Sequence, residues 1–207
     1  MDLYLVSTPW WLRSLFPGCT WELKGTEKRV YLSFDDGPHP EITPFVLAEL
    51  AKYQAKATFF CIGDNVRKFP GTYQQVIAGG HSVGNHTMHH LNGWKTKNDQ
   101  YLADIEAADQ LINSTLFRPP YGRIRRSQVR RLLSANPGRK IIMWSALAGD
   151  WDTAVSPQKC FHRLQKAIYP GCIVVMHDSE KAATRLQYVL PRLLQYLQAE
   201  GYKCCAL

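Results

Sequence analysis

Two hydrophobic periods take turns along this chain. Val30, Leu32 and Phe34 are apolar at every second position, which predicts a strand that ends where Asp35 and Asp36 arrive side by side. Gly37-Pro38 then turns the chain. From Ile42 to Tyr53 the period lengthens, with Phe45, Val46, Leu50 and Tyr53 at helical spacing. The apolar run 57–62 reads as a second strand, closed by Gly63. Helices are expected over 69–78, stopped by Gly79-Gly80, and over 98–113, with Leu102, Ile105, Ala108 and Ile112 on one side. Further helices are expected over 127–134, 157–168 and 185–199. Strands are expected at 81–84, 140–144, 172–176 and 202–207, and the short run Leu116-Phe117-Arg118 leads into Pro119-Pro120. At the front, Ser7-Thr8-Pro9 caps a short helix that ends at Phe16 before Pro17-Gly18.

Strand and helix therefore alternate from end to end, which predicts parallel strands joined by helical crossovers in an α/β fold. The strands are short and apolar, as in a sheet covered on both faces. Reactive groups in such folds gather at the C-terminal ends of strands. The chemically useful residues fall there: after Phe34, after Gly84, after Phe117, after Trp144 and at the end of Val174-Val175-Met176. There is no internal repeat and no linker, and 207 residues suit one domain with a sizeable core.

Composition narrows the partners. Hydrophobic content of 45% and charged content of 20% are ordinary for a globular chain. The formal net charge of +8 favours anionic surroundings, whether a phosphate-bearing substrate, an anionic bilayer or nucleic acid. Arg123, Arg125, Arg126, Arg130 and Arg131 supply much of that excess and read as a solvated helix face and loop. No zinc finger or RNA-binding aromatic signature is present, so nucleic acid is not an expected partner. The six cysteines are scattered with no Cys-x-x-Cys pair, so no structural zinc or redox motif is visible. Cys61 and Cys172 sit in apolar runs and read as buried thiols, which suits a reducing compartment. The first residues carry an early acid and no long apolar core, unlike a signal peptide. No apolar run approaches the roughly 20 residues of a membrane span. The expectation is a cytoplasmic protein. Its aromatic N-terminal helix is expected to cover the open end of the core, the other reading being contact with the inner membrane face.

Two stretches carry candidate chemistry. Adjacent residues at a strand end point in different directions, so one of Asp35 and Asp36 can bind a cation while the other faces something else. A metal there lets both carboxylates stay ionised; without one, the pair is an acidic turn. In Gly84-Asn85-His86-Thr87-Met88-His89-His90, His86 and His90 are four apart, so a helical turn would stack both imidazoles on one side. That is the geometry of a divalent-metal site with two nitrogen ligands. With Asp36 the set becomes two imidazoles and one carboxylate, which suits zinc, cobalt, iron or manganese. His89 is a rival ligand and stands behind His90.

Five segments then resemble, in order, the motifs of NodB-type polysaccharide deacetylases, a carbohydrate esterase family. They are Phe34-Asp35-Asp36-Gly37-Pro38, His86-Thr87-x-x-His90, Arg118-Pro119-Pro120-Tyr121-Gly122, Asp150-Trp151 and Val175-Met176-His177. The similarity covers nearly everything after residue 28. It implies a distorted (β/α) barrel of the NodB-homology type, with a catalytic domain over 28–207 and an N-terminal extension over 1–27 packed on it. It also implies a metal-dependent deacetylase site. Asp35 matches the general base that takes a proton from the attacking water, and Arg118 the arginine that pairs with that base and aims it. Asp36, His86 and His90 match the ligands of a divalent ion, zinc above all, with cobalt, manganese, iron or nickel as substitutes. The Tyr121 backbone N–H matches the donor that holds the oxyanion. Trp151 matches an aromatic wall around the acetyl methyl, with Asp150 and the Tyr121 ring expected on the substrate side. His177 matches the general acid that protonates the leaving amine.

One departure stands out. The family pattern Asp-x-x-Asp-Trp reads Leu147-Ala148-Gly149-Asp150-Trp151 here. The first acid, credited with tuning the catalytic histidine, is Leu147, so either Asp150 or Asp178 takes its place or the general acid is poorly tuned. The implied activity is removal of N-acetyl groups from an acetylated amino-sugar glycan of the peptidoglycan or chitooligosaccharide type. Alternatives are a deformylase or deacetylase of a lipid-linked sugar, an O-acetyl esterase, or a non-catalytic sugar-binding relic. A complete ligand set beside a base and an acid speaks against a mere binder.

Overall fold

A computed structural model of the chain describes residues 10–25 and 27–207; the cap expected at Ser7-Thr8-Pro9 lies outside them. Helix α1 (Trp10–Ser14) and strand β1 (Cys19–Thr20) come first, then β2 (Arg29–Asp35), α2 (Ile42–Lys52), β3 (Thr58–Cys61), α3 (Gly63–Lys68) and α4 (Pro70–Ala78). After them come β4 (Ser82–Asn85), α5 (Asn98–Asp109), β5 (Leu116–Phe117), a 3-10 turn (Pro120–Gly122), α6 (Arg126–Ala135) and β6 (Lys140–Ile142). The chain closes with β7 (Ala146–Leu147), α7 (Pro157–Ala167), β8 (Ile173–His177), α8 (Ala183–Ala199) and β9 (Lys203–Cys205).

The strands lie in the order β1-β6-β5-β4-β3-β2-β8-β7, with β9 beside β2, and every ladder between them is parallel. This curled parallel sheet with helical crossovers is the distorted (β/α) barrel that the motifs implied. Strand β2 is its axis. It pairs with β8 over Tyr31–Asp35, with β9 over Arg29–Tyr31 and with β3 over Ser33–Asp35.

The alternation of β2 separates two environments. Val30, Leu32 and Phe34 are fully buried against the helices. There they meet Val46 and Leu50 of α2 and the stripe Leu186, Val189, Leu190, Leu193, Leu194 and Leu197 of α8, spaced three and four apart. Each such side chain contributes about 1.5–3 kcal/mol by leaving water. On the other face of the sheet, Phe60, Leu116, Ile142 and Ile173 form an inner cluster with Tyr31 packed against it. Ser33 and Asp35, in step with Tyr31, belong to that inner side. Gly84 is needed there: a Cβ at this position would lie 2.5 Å from the Phe60 ring.

Most element boundaries fall within a few residues of expectation, but β1, α3 and β7 were not foreseen. Helix α3 begins at Gly63, which was read as a strand stop, and β7 has two residues, too few to show a period. The helix expected to reach 113 ends at Asp109, and the strand expected to reach 144 ends at Ile142. Sheet pairing also begins inside the segment read as an extension, because β1 joins β6. Arg13 of α1 contacts Glu22 and bonds to the Tyr169 hydroxyl at 3.2 Å, while Phe16 packs beside the cluster built on α5 and α6. Cys61 and Cys172 are buried, and all six cysteines are free thiols. No helix among the described residues is long and apolar enough to cross a membrane.

Leu190 lies at the centre of the α8 stripe. Leu190→Ala is expected to lower the unfolding free energy by about 2–5 kcal/mol in urea melts; a loss under ~1 kcal/mol would mean that α8 does not carry the core.

Candidate active site

The inner face of the sheet is organised by one buried cation. Arg118 follows β5 and is fully buried, its guanidinium 4.0 Å from the centroid of the Phe60 ring. Nε donates to the Ile142 carbonyl at 3.2 Å and Nη2 to the Met143 carbonyl at 3.1 Å. Nη1 donates to both Ser33 Oγ and Asp35 Oδ1 at 2.7 Å, and the Ser33 hydroxyl passes its own proton to the Val174 carbonyl at 2.7 Å. A buried arginine survives only with such complete satisfaction. The two carbonyls of 142 and 143 that it takes lie where β6 ends. Asp35, 3% exposed, is thereby held at the tip of β2.

Asp36 turns the other way. Its φ of 79° is left-handed, so the chain reverses within one residue and aims its carboxylate at two imidazoles. Asp36 Oδ1 lies 3.2 Å from His90 Nε2 and 3.7 Å from His86 Nε2. One donor atom from each of Asp36, His86 and His90 falls within 4.8 Å of the others. Burial opposes ionisation of Asp36, yet the bond to His90 and the charges of His177 and His86 hold it well below the usual carboxylate range. Burial lowers the His86 pKa to about 4, so that ring is neutral near pH 7. His86 gives its Nδ1–H to the Arg118 carbonyl at 2.8 Å, which leaves the Nε2 lone pair facing Asp36. Neutral imidazole nitrogen beside ionised carboxylate is a donor set suited to a divalent cation.

The helical turn expected to stack His86 on His90 does not form. The chain leaves β4 through a loop in which Thr87 (φ 66°) and His90 (φ 55°) are left-handed. Side chains replace the missing helical bonds. Asn85 Oδ1 accepts the Thr87 N–H at 2.7 Å, Asp104 Oδ2 accepts those of Met88 and His89 at 3.0 Å each, and Thr87 Oγ1 accepts that of Leu91 at 3.1 Å. His89 donates to Asp104 at 2.6 Å and points away to solvent.

His177 is the register partner of Asp35, on β8. Asp150 is fully buried and gives both oxygens to it, one to Nδ1–H and one to the backbone N–H, each at 2.8 Å. Asp150 was expected to face substrate; with both oxygens committed to His177 it does not line the cleft. It fills instead the place left by Leu147, which is an apolar wall of the cleft. Asp178 is engaged elsewhere, accepting from Thr43 Oγ1 at 2.5 Å and Gly37 N–H at 3.1 Å. A Cβ on Gly37 would meet that carboxylate at 2.2 Å, so the turn after the two aspartates requires glycine. Burial raises Asp178 to about 7. Burial disfavours charge on His177 too, but Asp150, helped by Asp36 and Asp35, raises its pKa to about 9.

Asp35, Asp36, His86, His90, Leu147 and His177 line a cleft of about 360 Å³. Trp151 stands edge-on to His177 with centroids 4.8 Å apart. The Tyr121 ring lies 4.6 Å from His90, and its residue is left-handed at φ 60°. Sequence reasoning missed Trp144, Arg123 and Lys181 on the walls, and Ser33, Asn85 and Asp104 in support. Only Ser33 was within reach, since it alternates with Asp35 on β2.

Two predictions follow from these contacts. Arg118→Met strands Asp35 in the interior and should cost about 3–5 kcal/mol, with part of that loss restored in Arg118→Met/Asp35→Asn; a single-variant cost under ~1 kcal/mol would contradict the buried pair. His177 binds its proton more tightly folded than unfolded. Its contribution to stability is therefore whole below about pH 6.5 and is lost as pH rises through about 9. In chelator-treated protein the melting temperature should fall across that window, and Asp150→Asn should flatten the fall. Parallel curves would contradict the pairing.

Comparison with known proteins agrees with this geometry. Residues 22–137 match the sequence profile of the polysaccharide deacetylase family. A peptidoglycan-N-acetylglucosamine deacetylase of Bacillus cereus is 32% identical over 189 residues, which are 89% of this chain and 88% of that one. A chitooligosaccharide deacetylase of a Bradyrhizobium species is 34% identical over 200 residues, covering 88% and 90%. The crystal structure of the Bc1960 peptidoglycan N-acetylglucosamine deacetylase superposes with a TM-score of 0.88 at 28% identity, over 97% of this chain and 95% of that one. The chain belongs to the polysaccharide deacetylase family, and its named relatives are deacetylases, hydrolases of carbon–nitrogen bonds outside peptides.

Proposed function

We propose that this protein removes acetyl groups from N-acetylglucosamine units of a glycan, with Asp36, His86 and His90 holding a divalent cation. Zinc is the proposed ion, because two imidazoles and one carboxylate with open positions are the donors that it favours; cobalt, manganese, iron and nickel accept the same set. One observation carries the reading: the three donors converge within 4.8 Å at a cleft that also holds an arginine-paired carboxylate and a carboxylate-backed imidazole. The deacetylase names of the relatives support the substrate class.

A cation held there would supply a Lewis acid that polarises the acetyl carbonyl and acidifies water. Asp35 takes the proton from the attacking water, its free oxygen kept on the cleft side by the bond from Arg118 to the other. The Tyr121 N–H is the proposed donor to the carbonyl oxygen as it becomes an oxyanion. Tyr121 follows two prolines, is left-handed at φ 60°, and lines the cleft. Trp151 and Leu147 close around the methyl. As the C–N bond breaks, His177 gives the proton on Nε2 to the leaving amine, while Asp150 keeps Nδ1–H and fixes the tautomer.

The test is release of acetate from N-acetylglucosamine oligomers by chelated protein, with each divalent ion restored in turn. Restored activity supports the reading, and none with any ion contradicts it. Asp36→Ala is expected to lose the ion, while Asp35→Asn keeps it and loses about 10²–10⁴-fold in turnover. A metal-replete Asp35→Asn with wild-type rates would remove Asp35 from the role of base. His177→Ala should slow amide substrates far more than activated esters, whose leaving groups need no acid; equal losses on both would make His177 structural.

A further inference from the structure

The walls of the cleft carry two cations that the chemistry above does not use. Arg123 follows the 3-10 turn on one side and Lys181 follows β8 on the other, and both line the cleft. No carboxylate among the described residues forms an ion pair with either, whereas the acids of the floor are already engaged with Arg118, the imidazoles and His177. Arg123 is also seated. Its guanidinium lies 5.3 Å from the centroid of Trp94. Trp94 is held in turn, donating Nε1–H to the Ile124 carbonyl at 3.2 Å and accepting from Arg125 at 2.5 Å. Gly93 N–H bonds to the Arg123 carbonyl at 3.1 Å, and Gln128 donates to the Gly93 carbonyl at 2.9 Å. Two loops are thus locked into one lip, yet Trp94 remains 54% exposed.

The loops that form the lip carry no acid of their own. The sequence has no Asp or Glu from Asn65 to Asn98 or from Gln110 to Gly149, while Lys95, Lys97, Arg123, Arg125 and Arg126 fall within those stretches. Cations that serve solubility alone are interspersed with acids. Arg123 instead stands at the wall of the cleft, beside an aromatic face of the kind that receives the C–H face of a sugar ring.

We propose that Trp94, Arg123 and Lys181 form a subsite for a carboxylate-bearing unit next to the N-acetylglucosamine that is deacetylated. It rests on the deacetylase reading and narrows its substrate to anionic glycans, such as peptidoglycan strands with free peptide carboxylates, over neutral chitooligosaccharides. Arg123 binds the carboxylate through its planar fork, and Lys181 adds a second, mobile charge from the far wall. Partly exposed pairs are individually modest, so together they give about tenfold in affinity.

The test uses zinc-loaded protein and three ligands of equal sugar length: a neutral N-acetylglucosamine oligomer, a peptidoglycan fragment with free carboxylates, and that fragment with its carboxylates amidated. Binding is measured by calorimetry on Asp35→Asn, and acetate release on the wild type. The free-carboxylate fragment should bind about tenfold more tightly than its amidated form, and raising salt from about 50 to about 500 mM should erode that ratio. Arg123→Gln/Lys181→Gln should bring the ratio to about one, while Arg123→Lys should keep part of it. A wild-type ratio near one, or a ratio unchanged in the folded double variant, overturns the subsite. Acetate release from all ligands without charge preference overturns the subsite and leaves the deacetylase standing. Charge preference without acetate release from any ligand does the reverse, and binding of none overturns both.

Discussion

A guanidinium sealed inside the sheet is the constraint on which the rest of this structure depends. Arg118 has no water to turn to, so its bonds must come from the protein: two carbonyls at the end of β6, the Ser33 hydroxyl and the Asp35 carboxylate. Those partners come from different strands, so the same bonds that satisfy the cation tie β5, β6 and β2 together at their C-terminal ends. A buried pair of this kind is weak evidence for net stability, because desolvation offsets much of its attraction. Its effect is positional. It pins one of two neighbouring carboxylates inward and leaves the chain to turn the other outward.

The two aspartates then divide the work through backbone geometry. Asp35 ends a strand in ordinary extended conformation and meets arginine; Asp36 is left-handed and meets imidazole. The histidine loop is built on the same logic. Two left-handed residues bring His86 and His90 together, and the cost of those conformations is offset by bonds from Asn85, Thr87 and Asp104. Opposite them, Asp150 orients His177. The cleft thus holds one carboxylate neutralised by arginine and one shared by imidazoles, with a third buried beneath and committed to a histidine, each in a different environment and therefore with a different chemistry.

Much of this was legible from residue order. The period-two pattern of β2 located both aspartates at a strand end, and the helical spacing of Phe45, Val46, Leu50 and Tyr53 located α2. The turn residues Gly37-Pro38 and Pro119-Pro120 marked where loops would carry function. What stayed hidden were contacts that close across the fold. The spacing of His86 and His90 suggested a helical turn, because nothing local announced that Asp104, on another helix, would take the loop's N–H groups. Leu147 in place of an acid left open which carboxylate would serve His177. Only the three-dimensional arrangement shows Asp150 beneath that ring and Asp178 bound to Thr43. Arg123 read as solvent-facing charge and nothing local marked Lys181, yet both line the cleft.

The central claim is that nitrogen and oxygen donors of Asp36, His86 and His90, and none of the six free thiols, hold a divalent ion. X-ray absorption at the zinc edge of the loaded protein tests it most directly. The account predicts one ion per chain, with two imidazoles and oxygen at about 2.0–2.2 Å and no sulfur shell. Sulfur at about 2.3 Å, or a spectrum unchanged in His86→Ala, would contradict it.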